Sequence, residues 1–225
     1  MKFAILVVGN EILSGEISET NAAYISKRIT AIGHRVERVV VVPDRVQDIA
    51  EELKRLRRYD FIFVTGGLGA THDDVTAEGI ALALGKKLVH SEEAEKMVRR
   101  WTDNEEVINK IARVPEGSEV VENNAGVAPA FVTDNIAAMP GVPAEMRDTF
   151  EKIVRRFAEE DYHADYLRVD GYEENIVRHL HRVVEKYPDV EIGSYPKPGY
   201  VLVKFSGRDA SRVEEAKRYF ERLLE

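Results

Sequence analysis

The sequence of 225 residues contains no cysteine. Disulfide bonds, metal sites built on thiolates and cysteine nucleophiles are therefore excluded. It also has no apolar stretch long enough to cross a membrane. The first predicted strand begins at Lys2, which leaves no room for a signal peptide before it. We therefore expect a cytoplasmic protein that does not use a membrane as a partner.

The sequence also lacks any long run of basic residues, and its net charge is −8. Proteins whose main partner is a nucleic acid concentrate Lys and Arg against the phosphates, so we do not expect such a partner. Hydrophobic residues make up 44% of the chain and charged residues 32%, proportions typical of a globular protein. The length allows either one large domain or one medium domain plus a small one.

The strongest functional signal lies between residues 60 and 76. It begins with the apolar run 61–64, which is typical of a strand buried on both faces. Gly66, Gly67 and Gly69 follow within four positions, and the pattern then becomes helical. A glycine loop between a strand and a helix can present free backbone N–H groups to an anion such as a phosphate.

Two carboxylates, Asp73 and Asp74, follow this loop and suggest a cation bound beside the phosphate. The alternative is purely structural: the glycines form a tight connection and the aspartates cap the helix. The stretch matches neither the dinucleotide-binding fingerprint nor the P-loop, because the spacing differs and no lysine follows Gly69.

Strands and helices alternate along the first 85 residues, which predicts a parallel sheet with helices on both faces. Ligands of such sheets bind beyond the C-terminal ends of the strands. Asn10 and Glu11, in a predicted polar loop, follow the first strand, and Asp44 follows the second. Asp44 is also placed to cap the helix predicted from Gln47 onward. The agreement of three loops at one edge favours a real site over a tight turn.

The second half of the chain predicts a hairpin and then a separate module. Residues 131–139 form the hairpin, and residues 140–143 lead into a helix with Pro143 at its first position. This helix start is a second candidate anion site. Residues 161–225 follow the pattern β-α-β-β-α, including a helix over 172–186, so we predict domains at 1–160 and 161–225.

Several short motifs together resemble one known family. They are Asn10-Glu11-Ile12-Leu13 with Thr20-Asn21-Ala22, Thr65-Gly66-Gly67-Leu68-Gly69 with Asp73-Asp74-Val75-Thr76, Gly126-Val127-Ala128-Pro129 and Pro140-Gly141-Val142-Pro143. The set resembles the molybdopterin-binding (MoCF) domain, most closely its CinA-like branch of competence/damage-inducible proteins. The resemblance covers roughly residues 1–160 in the family's order. Ala70 and Ala130 depart from it, because that branch usually has Pro and Gly there.

The resemblance implies a three-layer α/β fold with a mostly parallel sheet, followed by the small C-terminal α+β module. It also implies a site for a phosphorylated small molecule, either a nucleotide or a pterin. Asp44 and Asp74 match acidic positions of the family and are the expected ligands of a divalent cation, Mg²⁺, Co²⁺ or Ni²⁺. Glu11 and Asp73 are candidate general bases or further ligands. The expected substrate-binding residues are Asn10, Thr65, Gly66, Gly67, Leu68, Gly69, Thr76, Gly126, Pro140, Gly141 and Pro143.

Three functions fit these expectations. The first is a metal-dependent pyrophosphatase that acts on an ADP-ribose-like or dinucleotide-like substrate. The second is adenylyl transfer to molybdopterin at the same site, and the third is a module that binds a pterin or nucleotide without turnover. The resemblance further implies a homo-oligomer, because MoCF domains are commonly oligomeric.

Overall fold

The computed structural model describes residues 1–157 and 161–225. Contacts divide the chain into two compact units. Unit 1 comprises Met1–Thr30 and His34–Ala158, and unit 2 comprises Glu159–Glu225 together with the short segment Ala31–Gly33.

Unit 1 alternates strands and helices through most of its length. Its elements in chain order are β1 (Lys2–Val8), α1 (Asn10–Leu13), α2 (Asn21–Ala31), β2 (Arg35–Val42), α3 (Val46–Leu56), β3 (Phe61–Thr65), α4 (Thr76–Leu84), β4 (Leu88–His90), α5 (Glu92–Val98), α6 (Glu105–Ile111), β5 (Arg113–Pro115), β6 (Glu119–Val121), β7 (Ala130–Thr133), β8 (Ile136–Met139) and α7 (Pro143–Ile153). A short 3₁₀ turn, Val154–Arg156, follows α7.

A six-stranded sheet with the order β2-β1-β3-β8-β7-β6 forms the centre of this unit. The first four strands in that order are parallel, and β7 and β6 are antiparallel to their neighbours. Strands β4 and β5 form a separate antiparallel pair. The predicted hairpin over residues 131–139 is confirmed as β7 and β8.

The two faces of the sheet are covered by different sets of apolar side chains. On one face Ile49 and Leu53 of α3 and Ile80 of α4 pack against β1 and β3. On the other face the rings of Phe63 and Phe150 lie 5.2 Å apart in an edge-on arrangement. Because β1 and β3 are covered on both sides, they are continuous apolar runs rather than alternating ones. The predicted three-layer α/β fold is confirmed.

The parallel direction of β1, β2, β3 and β8 brings four connections to one edge of the sheet. These are the segments that follow Val8, Val42, Thr65 and Met139. Gly85 ends α4 in the left-handed conformation with φ 66°, as its position after the helix predicts.

Some local predictions were wrong. The segment from Asn10 is not simply a loop, because Asn10–Leu13 form the single helical turn α1. Asp44 does not cap α3: Arg45 is the N-cap residue and makes no side-chain cap bond. The short strands β4, β5 and β6 were not predicted, since three-residue strands carry too little periodicity to be recognised.

Unit 2 is a three-stranded antiparallel sheet with two helices, which confirms the predicted α+β module. Its elements are β9 (His163–Asp170), α8 (Val177–Lys186), β10 (Glu191–Lys197), β11 (Tyr200–Gly207) and α9 (Ala210–Leu224). The strand order is β10-β11-β9, and its core includes Val183, Val203, Phe205 and Phe220. The helix predicted from Tyr172 begins later, because Glu173–Asn175 form a 3₁₀ turn ahead of α8. Within the described ranges, no helix combines the length and the apolar character needed to cross a membrane.

Candidate functional site

A cleft of about 540 Å³ lies at the edge of unit 1 where the four parallel strands end. This volume is within the range of pockets that hold cofactors and nucleotides, roughly 300–1,000 Å³. Most of the sequence-predicted site residues line it, namely Glu11, Asp44, Thr65, Gly66, Gly67, Leu68, Gly69, Asp73, Asp74, Pro140, Gly141 and Pro143. Asn10, Thr76 and Gly126 lie next to the cleft without lining it.

The glycine loop has an open row of backbone donors. Gly66 and Gly67 take φ values of 101° and 65°, which side chains rarely adopt. A Cβ atom at Gly66 would also overlap the carbonyl oxygen of Val8. Among the described residues, the N–H groups of Gly67, Leu68 and Gly69 have no hydrogen-bond partner. Three unpaired N–H groups in succession can bind an anion by donating hydrogen bonds to it.

Thr76 supports this loop from behind. Its side chain is fully buried, and its hydroxyl donates to the carbonyl oxygen of Gly66 at 2.8 Å. The N–H of Thr76 also donates to the carbonyl of Gly67 at 3.1 Å. Thr76 therefore fixes the shape of the loop and does not face a ligand directly.

Asp44 is held by the start of α1. The backbone N–H of Asn10 donates to Oδ2 of Asp44 at 2.7 Å, which explains why Asp44 is not available as a cap. Burial raises the pKa of Asp44 above its ordinary value, and the negative charges of Glu11 and Asp73 add to this rise. The bond from Asn10 opposes the rise without cancelling it. Asp44 is thus close enough to Glu11 and to Asp73 for each of their charges to repel its own.

Asp74 lies against the glycine loop itself. Its Oδ2 accepts the backbone N–H of Thr71 at 2.8 Å and also the Thr71 hydroxyl. A Cβ atom at Gly69 would lie 2.5 Å from the same oxygen, so only glycine leaves the carboxylate in this place. The loop donors and the Asp74 carboxylate therefore share one end of the cleft.

The charge of the lining is entirely negative. Within the described part of the chain, no Lys, Arg or His lines the cleft. Six carboxylates do, namely Glu11, Glu19, Asp44, Asp73, Asp74 and Glu145. They do not form a ready-made metal site, since the described residues contain no group of three or more such side chains able to hold an ion. A phosphorylated ligand would meet strong repulsion here unless a cation came with it.

Sequence reasoning did not identify two buried asparagines that organise the wall beside the glycine loop. Asn21 is 7% exposed and donates from Nδ2 to Thr65 Oγ1 at 3.1 Å and to the Gly141 carbonyl at 2.7 Å. Asn123 is 5% exposed and donates to Glu145 Oε2 at 2.7 Å. Asn21 does belong to a motif of the resemblance, but its contacts span 44 and 120 positions of sequence and left no local signal.

Glu145 accounts for the position of Gly126. A Cβ atom at Gly126 would overlap the Glu145 carboxylate, so the segment after Asn123 can approach α7 only with glycine there. Glu145 also lies in the first turn of α7, where Pro143 has no N–H. A negative charge and a missing donor make this helix start a weaker anion site than the glycine loop.

Two family matches cover the described units. Residues 4–160 match the family described as "probable molybdopterin binding domain". Residues 161–225 match the family described as "FAD synthase, middle domain".

Individual relatives agree with these matches. A protein of Archaeoglobus fulgidus is 56% identical over 225 residues, which is 100% of this chain and 98% of the relative. A relative from Acetivibrio thermocellus, named among the competence-damage inducible proteins, is 38% identical over 96% of this chain, which spans 55% of that longer protein.

The comparison with solved structures gives the same result. The crystal structure of CinA from Thermoplasma acidophilum, a protein described there as having unknown function, is 31% identical. It superposes with a TM-score of 0.67 over 70% of this chain and 99% of that one. The chain therefore belongs to the molybdopterin-binding (MoCF) domain family and, within it, to the CinA-like proteins.

Proposed function

We propose that this protein hydrolyses the diphosphate bond of a dinucleotide-like substrate such as ADP-ribose, with the help of a divalent cation. The observation that supports this most directly is the pairing of three free loop N–H groups with carboxylates that have no basic side chain beside them in the described cleft. The loop N–H groups can donate hydrogen bonds to phosphate oxygens. The carboxylates, which have no basic partner in the cleft, can bind a cation that also contacts those oxygens.

The glycine loop would bind one phosphate of the diphosphate through the N–H groups of Gly67, Leu68 and Gly69. Thr76 and the close contact between Gly66 and Val8 hold the loop in this shape before the ligand arrives. A site that is rigid in advance avoids the cost of ordering the loop on binding. Leu68 and Val127, which also line the cleft, give it an apolar part.

Asp44 and Asp74 are the residues that would hold the cation. Asp74 keeps Oδ1 free, since Thr71 donates to Oδ2. A positive charge beside Asp44 would offset the repulsion that helps to raise its pKa. Mg²⁺ in phosphate sites usually takes one or two protein carboxylates together with substrate oxygens, so a cation at Asp44 and Asp74 does not require the three-ligand cluster that the described residues lack. When bound, the cation would neutralise the charge that develops on the phosphates.

The chemical step needs a group that accepts a proton from water. As water attacks phosphorus, its oxygen forms a new P–O bond, the bridging P–O bond breaks, and AMP and a sugar phosphate separate. Glu11 and Asp73 lie close enough to Asp44 to influence its pKa, so both are candidates for taking the proton of the attacking water. The Thr71 side chain lowers the pKa of Asp73 below its ordinary value, which makes Asp73 a weaker base and favours Glu11 in this role. Asp73, which is more exposed, also has access to solvent for proton release.

The family matches support a phosphorylated pterin or nucleotide as the ligand class. The first family is described as binding molybdopterin, and the second is part of FAD synthase. FAD is itself a dinucleotide with a diphosphate bridge. The first description also favours a second candidate, adenylyl transfer to molybdopterin, in which the pterin phosphate replaces water as the nucleophile.

The test is a substrate screen that detects AMP. ADP-ribose, FAD, NAD and ATP are each incubated with Mg²⁺, Co²⁺ or Ni²⁺, and with EDTA as the control. We expect AMP from ADP-ribose or FAD only when a cation is present. Incorporation of AMP into molybdopterin would favour the transferase instead. Saturable binding with no AMP under any condition would reduce the protein to a binding module.

A further inference from the structure

The cleft has a second wall, formed by Asn21 and Glu145, whose side chains keep acceptor oxygens without a donor, whereas the glycine loop keeps donors without an acceptor. Both residues line the cleft, and the proposed function gives neither of them a contact with the substrate. The wall lies at the starts of α2 and α7.

The amide of Asn21 has only one possible orientation. Gly141 offers a carbonyl oxygen, so the atom 2.7 Å from it must be the NH₂ group. Thr65 gives its only hydroxyl proton to the carbonyl of Pro140 at 3.0 Å, so it can only accept from Asn21. Both protons of Nδ2 are then used. Oδ1 remains buried with no hydrogen-bond partner among the described residues, which is costly unless a ligand supplies the donor.

Glu145 is fixed with one oxygen to spare. Asn123 uses both protons of Nδ2, one on Glu145 Oε2 at 2.7 Å and one on the Ala128 carbonyl at 2.8 Å. Its Oδ1 accepts the N–H of Ala125 at 2.9 Å, so Asn123 cannot turn without breaking all three bonds. No described residue donates to Oε1 of Glu145. The carboxylate is therefore held in place and keeps one acceptor oxygen for another molecule.

This acceptor wall lies next to the expected phosphate site. Gly141, which accepts from Asn21, packs so closely on the glycine loop that a Cβ atom there would lie 3.2 Å from the Cα of Gly66. Glu145 follows Gly141 by four residues and lies in the first turn of α7. In a nucleotide, the sugar is the unit joined to the phosphate, and its hydroxyls are the donors nearest to it. Carboxylates bind such hydroxyls in dinucleotide-binding folds.

We infer that Asn21 and Glu145 form a subsite for the vicinal hydroxyls of a ribose attached to the bound phosphate. The inference rests on the proposed function for the position of the phosphate. It narrows the substrate class to ribonucleotides, because neither a deoxyribonucleotide nor a pterin with no sugar fills both acceptors. Asn21 and Glu145 are binding residues in this account and take no part in bond cleavage.

The test compares binding of ADP and 2′-deoxy-ADP by calorimetry in the presence of Mg²⁺. A hydrogen bond to a charged acceptor contributes enough free energy that the wild-type protein should bind ADP at least about tenfold more tightly. Glu145→Gln should lower this ratio to about threefold or less, since the charge is lost and the new amide oxygen turns to Asn123. Asp148→Asn is the matched control. Asp148 lies in the same helix and accepts from the N–H of Asn124, but it does not line the cleft, so the ratio should not change.

Each result decides between specific alternatives. Equal affinity of the wild-type protein for the two nucleotides would overturn the subsite and leave the proposed function standing. A ratio that Asp148→Asn lowers as much as Glu145→Gln would show that the loop, and not the carboxylate, discriminates. If Glu145→Gln alters discrimination between ADP and IDP instead, Glu145 contacts the base and the inference is wrong. No binding of either nucleotide with Mg²⁺, Co²⁺ or Ni²⁺ would overturn the subsite and the proposed function together. Discrimination without AMP release would support the subsite and count against hydrolysis.

Discussion

Aspartates of the two units differ in what faces them. In unit 2, Asp189 accepts from both Nε and Nη2 of Arg212 at 2.9 Å, and this pairing lowers the pKa of Asp189 to about 2. In unit 1, the charged neighbours that act on Asp44 are the carboxylates of Glu11 and Asp73 and not a basic side chain. Burial and these two charges raise the pKa of Asp44. An aspartate therefore stabilises the fold through an ion pair in unit 2, whereas the negative charge of Asp44 in unit 1 has no basic partner.

This difference distinguishes carboxylates that stabilise the fold from carboxylates that are available to a ligand, and it does so independently of the family match. Asp189 precedes β10 and joins the strand to α9 through Arg212, as Asp165 of β9 does through Lys217 at 2.8 Å. No cleft carboxylate pairs with Lys or Arg within the described part of the chain, and the nearest histidine contact, His72 Nδ1 to Asp73 Oδ1 at 4.0 Å, lies on the exposed surface. Perturbed groups cluster at functional sites, where a bound ligand can relieve such repulsion.

Among the variants that test this difference between the units, replacement of Asp74 should have the largest effect on turnover. Asp74→Asn keeps the volume and can keep the acceptor for Thr71, but it removes a charge that would hold the cation. We expect turnover of ADP-ribose to fall by more than tenfold with an unchanged circular dichroism spectrum. Asp189→Asn, which removes a charge of unit 2, should leave turnover within a factor of two. Comparable turnover in Asp74→Asn and the wild-type protein would remove Asp74 from the mechanism.

Gly69→Ala should give a smaller loss of turnover. The added Cβ would lie 2.5 Å from Asp74 Oδ2, so the carboxylate must move, while the φ value of Gly69 is not one that demands glycine. We expect turnover to fall severalfold and the melting temperature to change little. The control is Gly207→Ala in unit 2, where the new atom would meet neighbours only at 3.4 Å or more, an ordinary contact. Full activity in Gly69→Ala would show that the position of Asp74 is not critical.

The sequence predicted this contrast only in part, for physical reasons. The glycine loop was recognisable because its glycines, apolar strand and helix are adjacent in sequence. Asp44 was recognised as a site residue, but its expected capping role was wrong because Asn10, 34 positions earlier, offers a competing N–H. Glu145 gave no signal, since its contacts with Asn123 and Gly126 depend on how α7 packs. Periodicity reports burial along one element and does not report pairing between distant elements.

The smallest expected effect is a change in melting temperature. It is also the most discriminating test, because Asp44→Asn and Asp189→Asn should change the melting temperature in opposite directions. The raised pKa of Asp44 means that its contribution to stability is complete below the ordinary pKa of 3.8 and is lost as the pH rises through the raised value. Asp44→Asn should therefore raise the melting temperature of the cation-free protein at pH 7. The rise should be at most about 3 °C, since solvent screens a half-exposed carboxylate and keeps the effect below about 1 kcal/mol.

Asp189 gives the reverse case in the same molecule. Its lowered pKa means that its contribution is present above pH 3.8 and is lost as the pH falls through about 2. Asp189→Asn should therefore lower the melting temperature at pH 7, and the difference should disappear near pH 2. Mg²⁺ should stabilise the wild-type protein and Asp189→Asn alike, but should stabilise Asp44→Asn less. Calorimetric scans of the three proteins at pH 7, with EDTA and with Mg²⁺, measure all of this. A lower melting temperature for Asp44→Asn in EDTA would contradict the uncompensated charge on which the cation site depends.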